Sequence, residues 1–149
     1  MPDSVSSRPV LGLLLRLLHQ HHAQDVDAAL RAAGFGDIRP AHANVFPFVP
    51  DDGIQVSELA RVANVTKQTM AQAVEQLERV GYVERRADPN DRRARRVFLT
   101  PRGHAVRPVG GAAGRAVEEH WAQLTSPEEV AALRDLLERV LAALDEQPG

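Results

Sequence analysis

Apolar positions in this chain recur with two rhythms, one of three to four residues and one of two, and the rhythms divide it into helices and a hairpin. Leu11, Leu15, Leu18, His22, Val26 and Ala29 fall on one face of a helix that is predicted to open near Pro9 and close at Gly34. Pro40 opens a short second helix through Phe46, because Pro47 disfavours helical geometry at the residue before it. Pro50, Asp51, Asp52 and Gly53 then punctuate a turn.

Two closely spaced helices follow, predicted over Ser57 to Ala63 and Thr66 to Val80. Ser57 and Thr66 have hydroxyls able to accept from unpaired first-turn amides, so both are expected as N-caps. Val62, Met70, Val74 and Leu77 are the expected buried residues, and Gly81 ends the second helix. Tyr82 to Arg86 and Arg95 to Leu99 predict two strands joined by the polar loop Ala87 to Ala94, with its Pro89, Asn90 and Asp91 turn signal.

Thr100 and Pro101 cap a further helix toward Trp121 and Leu124. Pro108, Gly110, Gly111 and Gly114 lie inside it, and an interior proline alone costs about 3 kcal/mol, which predicts a kink or a break near Arg107. Ser126, Pro127 and Glu129 form a capping box for a last helix. Its Val130, Leu133, Leu137, Val140 and Leu144 step by three and four, the spacing of a helix seam.

Length and composition narrow the class. The 149 residues, 44% hydrophobic, suffice for one domain that folds without disulfide or metal, and the absence of cysteine excludes thiolate chemistry altogether. The apolar run Val10 to Leu18 is interrupted by Arg16 and followed by His19, Gln20, His21 and His22, unlike a signal peptide. No segment approaches membrane-spanning length, so a soluble cytoplasmic protein with no membrane partner is expected. His19 and His22 share a helical face without an acidic ligand at metal-binding spacing, so no metal and no cofactor are expected and the histidines read as surface or interface residues. Glycine loops for phosphate, nucleophile elbows and paired carboxylates are missing, and no residue is assigned a catalytic role.

The net charge of -2 conceals a division along the chain. Glu84 to Arg102 holds seven arginines against three acids, whereas Val117 to Glu146 holds eight acids against two bases. One end is suited to a polyanion and the other is kept away from it.

Helix, tight turn, helix and two-stranded hairpin is the order of a winged helix-turn-helix. In such a unit the second helix enters the major groove, where its first residues meet the bases. Those residues are Thr66, Lys67, Gln68, Thr69 and Gln72, with Ser57 beside them on the preceding helix. Lys67 suits guanine or phosphate, and Gln68 and Gln72 suit adenine edges. Arg92, Arg93, Arg95 and Arg96 crowd a loop that has no apolar reason to exist, and arginine is favoured in narrow minor grooves. Asp91 is expected to orient the wing by pairing with the Arg93 guanidinium. The alternative reading of the same residues is a winged-helix module for protein contacts, whose arginine loop meets an acidic partner without specific DNA binding.

Val56, Ser57, Glu58, Leu59, Ala60, then Val65 to Thr69, Leu77, Glu78, Gly81 to Arg85, Asp91, Arg93, Leu99 and Thr100 together resemble the pattern of the MarR family, most strongly from Ile54 to Gly103. The resemblance implies a mainly α fold with a small β-hairpin wing, one domain over 1–149. Dimerisation helices would occupy 8–36 and 104–146, and the winged helix-turn-helix 37–103. It implies a homodimer on double-stranded DNA, with Thr66 to Val80 as the recognition helix, Arg93 at the wing tip, and Leu11, Leu15, Leu18 and the Val130 to Leu144 seam in the dimer contact. It further implies a small aromatic or anionic effector, in a cleft formed by the first helix, the His42 to Phe48 segment and the kinked helix, with Trp121 as a wall.

Overall fold

A computed structural model describes residues 8–147. Helix α1 (Leu11–Ala32) leads into a 3-10 helix (Pro40–Phe48), strand β1 (Ile54–Gln55), and helices α2 (Val56–Val62) and α3 (Lys67–Arg79). Strands β2 (Val83–Asp88) and β3 (Asp91–Leu99) form the hairpin, and α4 (Pro101–Leu124) and α5 (Pro127–Asp145) complete the chain. The sheet is antiparallel in the order β1-β3-β2, with Ile54 opposite Val97 and Val83 opposite Leu99. Among the described residues no helix is long and apolar enough to cross a membrane.

The core lies where α2, α3 and the sheet meet the 3-10 helix and the first turns of α4. Leu59, Val74, Leu77, Tyr82 and Val97 are completely buried there. Each aliphatic member contributes roughly 1.5–3 kcal/mol of burial. Tyr82 is the joint of this core: Phe35 and Phe46 meet its ring edge-on at 6.1 and 5.8 Å, and the Arg102 guanidinium stacks on it at 4.3 Å. Its hydroxyl donates to Asp37, and burial together with that bond pushes the phenol up to about 12. Helix α4 begins so close to this residue that a Cβ on Gly103 would stand 2.1 Å from the Tyr82 carbonyl oxygen, which only glycine permits.

Several expectations are met by local chemistry. Thr66, Thr100 and Ser126 cap α3, α4 and α5, accepting from the amides of Thr69, Gly103 and Glu129 at 3.1 Å each. Gly81 closes α3 with φ +84°, a conformation that suits glycine.

Others are corrected. Ser57 is not an N-cap: α2 starts one residue earlier, at Val56, with Gln55 before it and no side-chain cap. The 3-10 helix continues through Pro47 to Phe48 rather than stopping at Phe46, its end held by contacts from α4 described below. Val62 is 37% exposed, because α2 ends there and turns its last residue to solvent. The two-residue strand β1 is too short to leave an alternation in the sequence.

Of the kink or break expected near Arg107, the break does not occur, and α4 runs uninterrupted through Pro108. Proline there forfeits one backbone bond, while Val106 and Val117 on the same helix are buried at 3% and 4% exposure. Those two burials, at roughly 1.5–3 kcal/mol each, offset the penalty.

Candidate nucleic-acid interface

Helix α3 buries Met70, Ala73, Val74 and Leu77 on one side and exposes Lys67, Gln68, Thr69, Gln72 and Glu75 on the other. The Thr66 hydroxyl donates to Thr69 Oγ1 at 2.8 Å while accepting the Thr69 amide, which locks the first turn. The amides of Lys67 and Gln68 lack backbone partners among the described residues and remain open at the positive end of the helix. The Lys67, Gln68 and Gln72 side chains make no hydrogen bond within the described chain. Ser57 is exposed in the first turn of α2.

At its other end α3 is tied to the wing. Arg85 on β2 presents a fork to Glu78, with Nη2 3.0 Å from Oε1 and the backbone amide 3.2 Å from Oε2. The Arg85 hydrogen bond outweighs partial burial and holds the Glu78 carboxyl below its ordinary range, with Arg95 adding to the effect.

The hairpin differs in detail from its sequence reading. Strands reach Asp88 and Asp91, so Pro89 and Asn90 alone form the end turn, and much of the predicted Ala87 to Ala94 loop lies within the strands. The pairing slips beside Asp88: Ala87 faces Arg95 but Asp88 faces Asp91, which leaves Arg92, Arg93 and Ala94 as an unpaired excursion of β3. Asp91 orients this excursion through the backbone, its Oδ1 accepting the Arg93 amide at 3.0 Å. No Asp91–Arg93 ion pair forms, because the carboxylate is engaged by the nearer main-chain donor and the guanidinium is left free.

The seven arginines of this region separate into two groups. Arg85 pairs with Glu78, Arg86 with Glu84 while lying over the Phe98 ring at 4.5 Å, and Arg102 with Asp37 at 3.0 Å. Arg96, expected at the tip, is turned inward, donating to the Gly53 carbonyl at 2.7 Å and lying 3.6 Å from Asp88. Arg92, Arg93 and Arg95 have no carboxylate within ion-pair distance among the described residues, and all three are exposed. The sequence reading missed Gln55 and Asp88, which brace the tip from below. Asp88 is 4% exposed, accepts from the Asn90 amide at 2.9 Å and from the Gln55 side chain at 3.0 Å, and its carboxyl is lowered by these two bonds first. Its signal in the sequence was an acid two residues before a turn asparagine, the spacing of an Asx turn.

A cavity of about 620 Å³ lies between α1, the 3-10 helix and α4, walled by Val26, Leu30, Ala43, Phe46 and Val106 with His19, His22 and Arg107 at its polar places. Trp121 is not a wall of it but of a second cavity, about 350 Å³, with Leu18 and Leu133, since the uninterrupted α4 carries the indole beyond the first. His42 and Phe48 do not line it either, while Ala43, Asn44, Phe46 and Pro47 from the same segment do. Among the described residues no three His, Asp or Glu side chains are grouped to hold a metal ion.

A family model described as "MarR family" matches residues 38–94. The transcriptional regulator HosA of Escherichia coli O111:H- is 30% identical over 105 residues, covering 70% of this chain and 78% of that protein. The transcriptional repressor MprA of Escherichia coli K12 is 31% identical over 99 residues, 64% of this chain and 56% of that longer protein. Among solved structures, a mutant of MarR from E. coli complexed with operator DNA superposes with a TM-score of 0.73 at 28% identity, covering 88% of this chain and 93% of that one.

Proposed function

The chain belongs to the MarR family and is a winged helix-turn-helix transcription regulator that binds DNA, and we propose that it acts as a homodimer on a pseudo-palindromic double-stranded operator, from which a small effector releases it. The carrying observation is that the outward first turn of α3 occurs together with three exposed wing arginines that have no carboxylate within ion-pair distance among the described residues. An exposed cationic tip gains nothing from the protein itself, whereas phosphates and a narrow minor groove reward it.

In this reading the first turn of α3 enters the major groove. Lys67 meets guanine or phosphate, Gln68 and Gln72 meet adenine edges, and Ser57, Thr66 and Thr69 supply hydroxyls to the backbone. Arg93, held by the Asp91 turn, reaches the minor groove, with Arg92 and Arg95 on the flanking phosphates. The role is binding rather than catalysis, and its target locates it in the cytoplasm.

Dimerisation is supported by apolar surface that one chain cannot cover. Leu11 is 70% exposed and Leu144 58%, and Leu15, Leu18, Leu137 and Val140 are exposed with them, while Val130 and Leu133 are half-buried. A second copy, presenting the same faces by two-fold symmetry, covers them. The cavity between α1 and α4 has the size of a small-molecule site and mostly apolar walls, which supports its assignment to the effector.

The test is duplex binding against salt concentration for the wild type and an Arg93→Ala, Arg95→Ala double variant. The expected result is a loss of about tenfold or more and a shallower salt dependence, by about one unit of slope for each phosphate contact removed. Unchanged affinity in the double variant would contradict the wing assignment.

A further inference from the structure

We propose that Arg107 transmits the state of the cavity to the wing, at the head of a chain of polar contacts that ends at the wing tip; the proposal rests on the cavity being the effector site. Arg107 lines the cavity and reaches across to the end of the 3-10 helix, where the last carbonyls of a helix lack partners of their own. Its Nε donates to the Phe46 carbonyl at 3.1 Å, its Nη2 donates to the Val49 carbonyl, and its Nη1 lies 3.7 Å from Asp51. The guanidinium therefore fixes where the chain leaves the 3-10 helix and enters the turn that the Gly53 amide closes on the Pro50 carbonyl at 3.0 Å.

From that turn the contacts continue outward. The Gly53 carbonyl accepts from Arg96 Nη2 at 2.7 Å, and Arg96 Nη1 stands 3.6 Å from buried Asp88. Arg96 Nε is buried with no hydrogen-bond partner among the described residues, so the polar contacts of this side chain there are those to Gly53 and Asp88. Asp88 in turn holds the Asn90 amide, the turn from which the Arg92 and Arg93 excursion departs. Residues 107, 46–53, 96 and 88–90 thus form one connected path between two places that share no residue.

The cavity holds a trigger for this path. Asp27, its carboxylate, is already paired with Arg31 at 2.8 Å, whereas Arg107 faces two neutral carbonyls and one highly exposed acid. Hydrogen bonds to an ionised acceptor are about twice as strong as those between neutral groups, so an anionic group in the cavity competes successfully for the guanidinium. Drawing Arg107 inward leaves the Phe46 and Val49 carbonyls unpaired, loosens the turn, and with it the Gly53–Arg96 contact that steadies the tip. The anion gains control only by its preference for the arrangement with the loosened wing.

A double-mutant cycle tests the path without a ligand. Arg107→Gln and Arg96→Gln are each expected to weaken duplex binding, and the double variant to lose less than the product of the two by about threefold or more, since both break the same chain. Losses that multiply within twofold would overturn the proposal. Amide hydrogen exchange provides a second readout: Arg107→Gln is expected to speed exchange at Asn90 and Arg93 while Met70 to Leu77 stay protected, and unaltered exchange at Asn90 would overturn it. Arg107→Lys, which retains the charge but not the fork, gives the same direction of change should the glutamine variant fold poorly.

Benzoate, with benzamide as its neutral control, separates the proposal from the assignment of the cavity. Benzoate is expected to shift Ala43 and Val106 resonances and lower duplex affinity in the wild type but not in Arg107→Gln. Benzoate that binds there without altering affinity or Asn90 exchange contradicts the path. Failure of both probes to bind contradicts the effector site, and the cycle still decides the path.

Discussion

At Tyr82, the chain's one tyrosine, a phenol is pressed between two aromatic edges and a guanidinium, and its proton is held for Asp37. Burial first and the Asp37 bond second raise it from the ordinary 10.0 to about 12, so the folded state favours the protonated form. The associated stability is complete below pH 10 and falls as the pH rises toward about 12. Ultraviolet titration is expected to show tyrosinate near the upper value and a lower midpoint in Asp37→Asn; a wild-type midpoint at the ordinary value would contradict this packing. Residue roles were unequally legible. Thr66 declared itself by position and type, and Arg92, Arg93 and Arg95 by an excess of charge with no apolar partner. Asp91 and Arg96 did not, because a carboxylate's choice between a guanidinium and a backbone amide, or an arginine's turn toward Gly53, depends on where the main chain passes.

Among elements, periodicity together with cap and turn residues located the five α-helices of the described residues, the 3-10 segment and the hairpin, since each presents a stripe, a cap or a turn that follows from short-range spacing. It failed where tertiary packing decides. Helix α4 carries Pro108, Gly110, Gly111 and Gly114 in its interior yet stays whole, because its anchored positions bury more than its weak ones forfeit. Pro108→Ala is accordingly expected to stabilise the protein by about 2 kcal/mol, the interior-proline penalty less the unfolded-chain entropy that proline removes. Denaturant unfolding at matched slope measures it, and a loss of stability would show that α4 needs the proline. Strand β1 and the slipped pairing beside Asp88 escaped notice for a related reason: both are defined by a partner strand, not by their own residues.

For the whole molecule, the charge division read from the sequence has a physical arrangement: free arginines on the wing, acids on the helices that carry the exposed seam. Two copies joined through α1 and α5 would keep the acidic part remote from DNA and present both wings together. Leu137→Asp is expected to give a folded monomer in sedimentation whose operator affinity falls with the lost avidity, and a folded monomer of undiminished affinity would break the link between assembly and binding. The most direct measurement is a selection of bound duplexes from a random pool with the purified protein. The account predicts inverted repeats whose halves are centred about one helical turn apart, ~34–36 Å. Enrichment of isolated half-sites, or of no sequence at all, would contradict it.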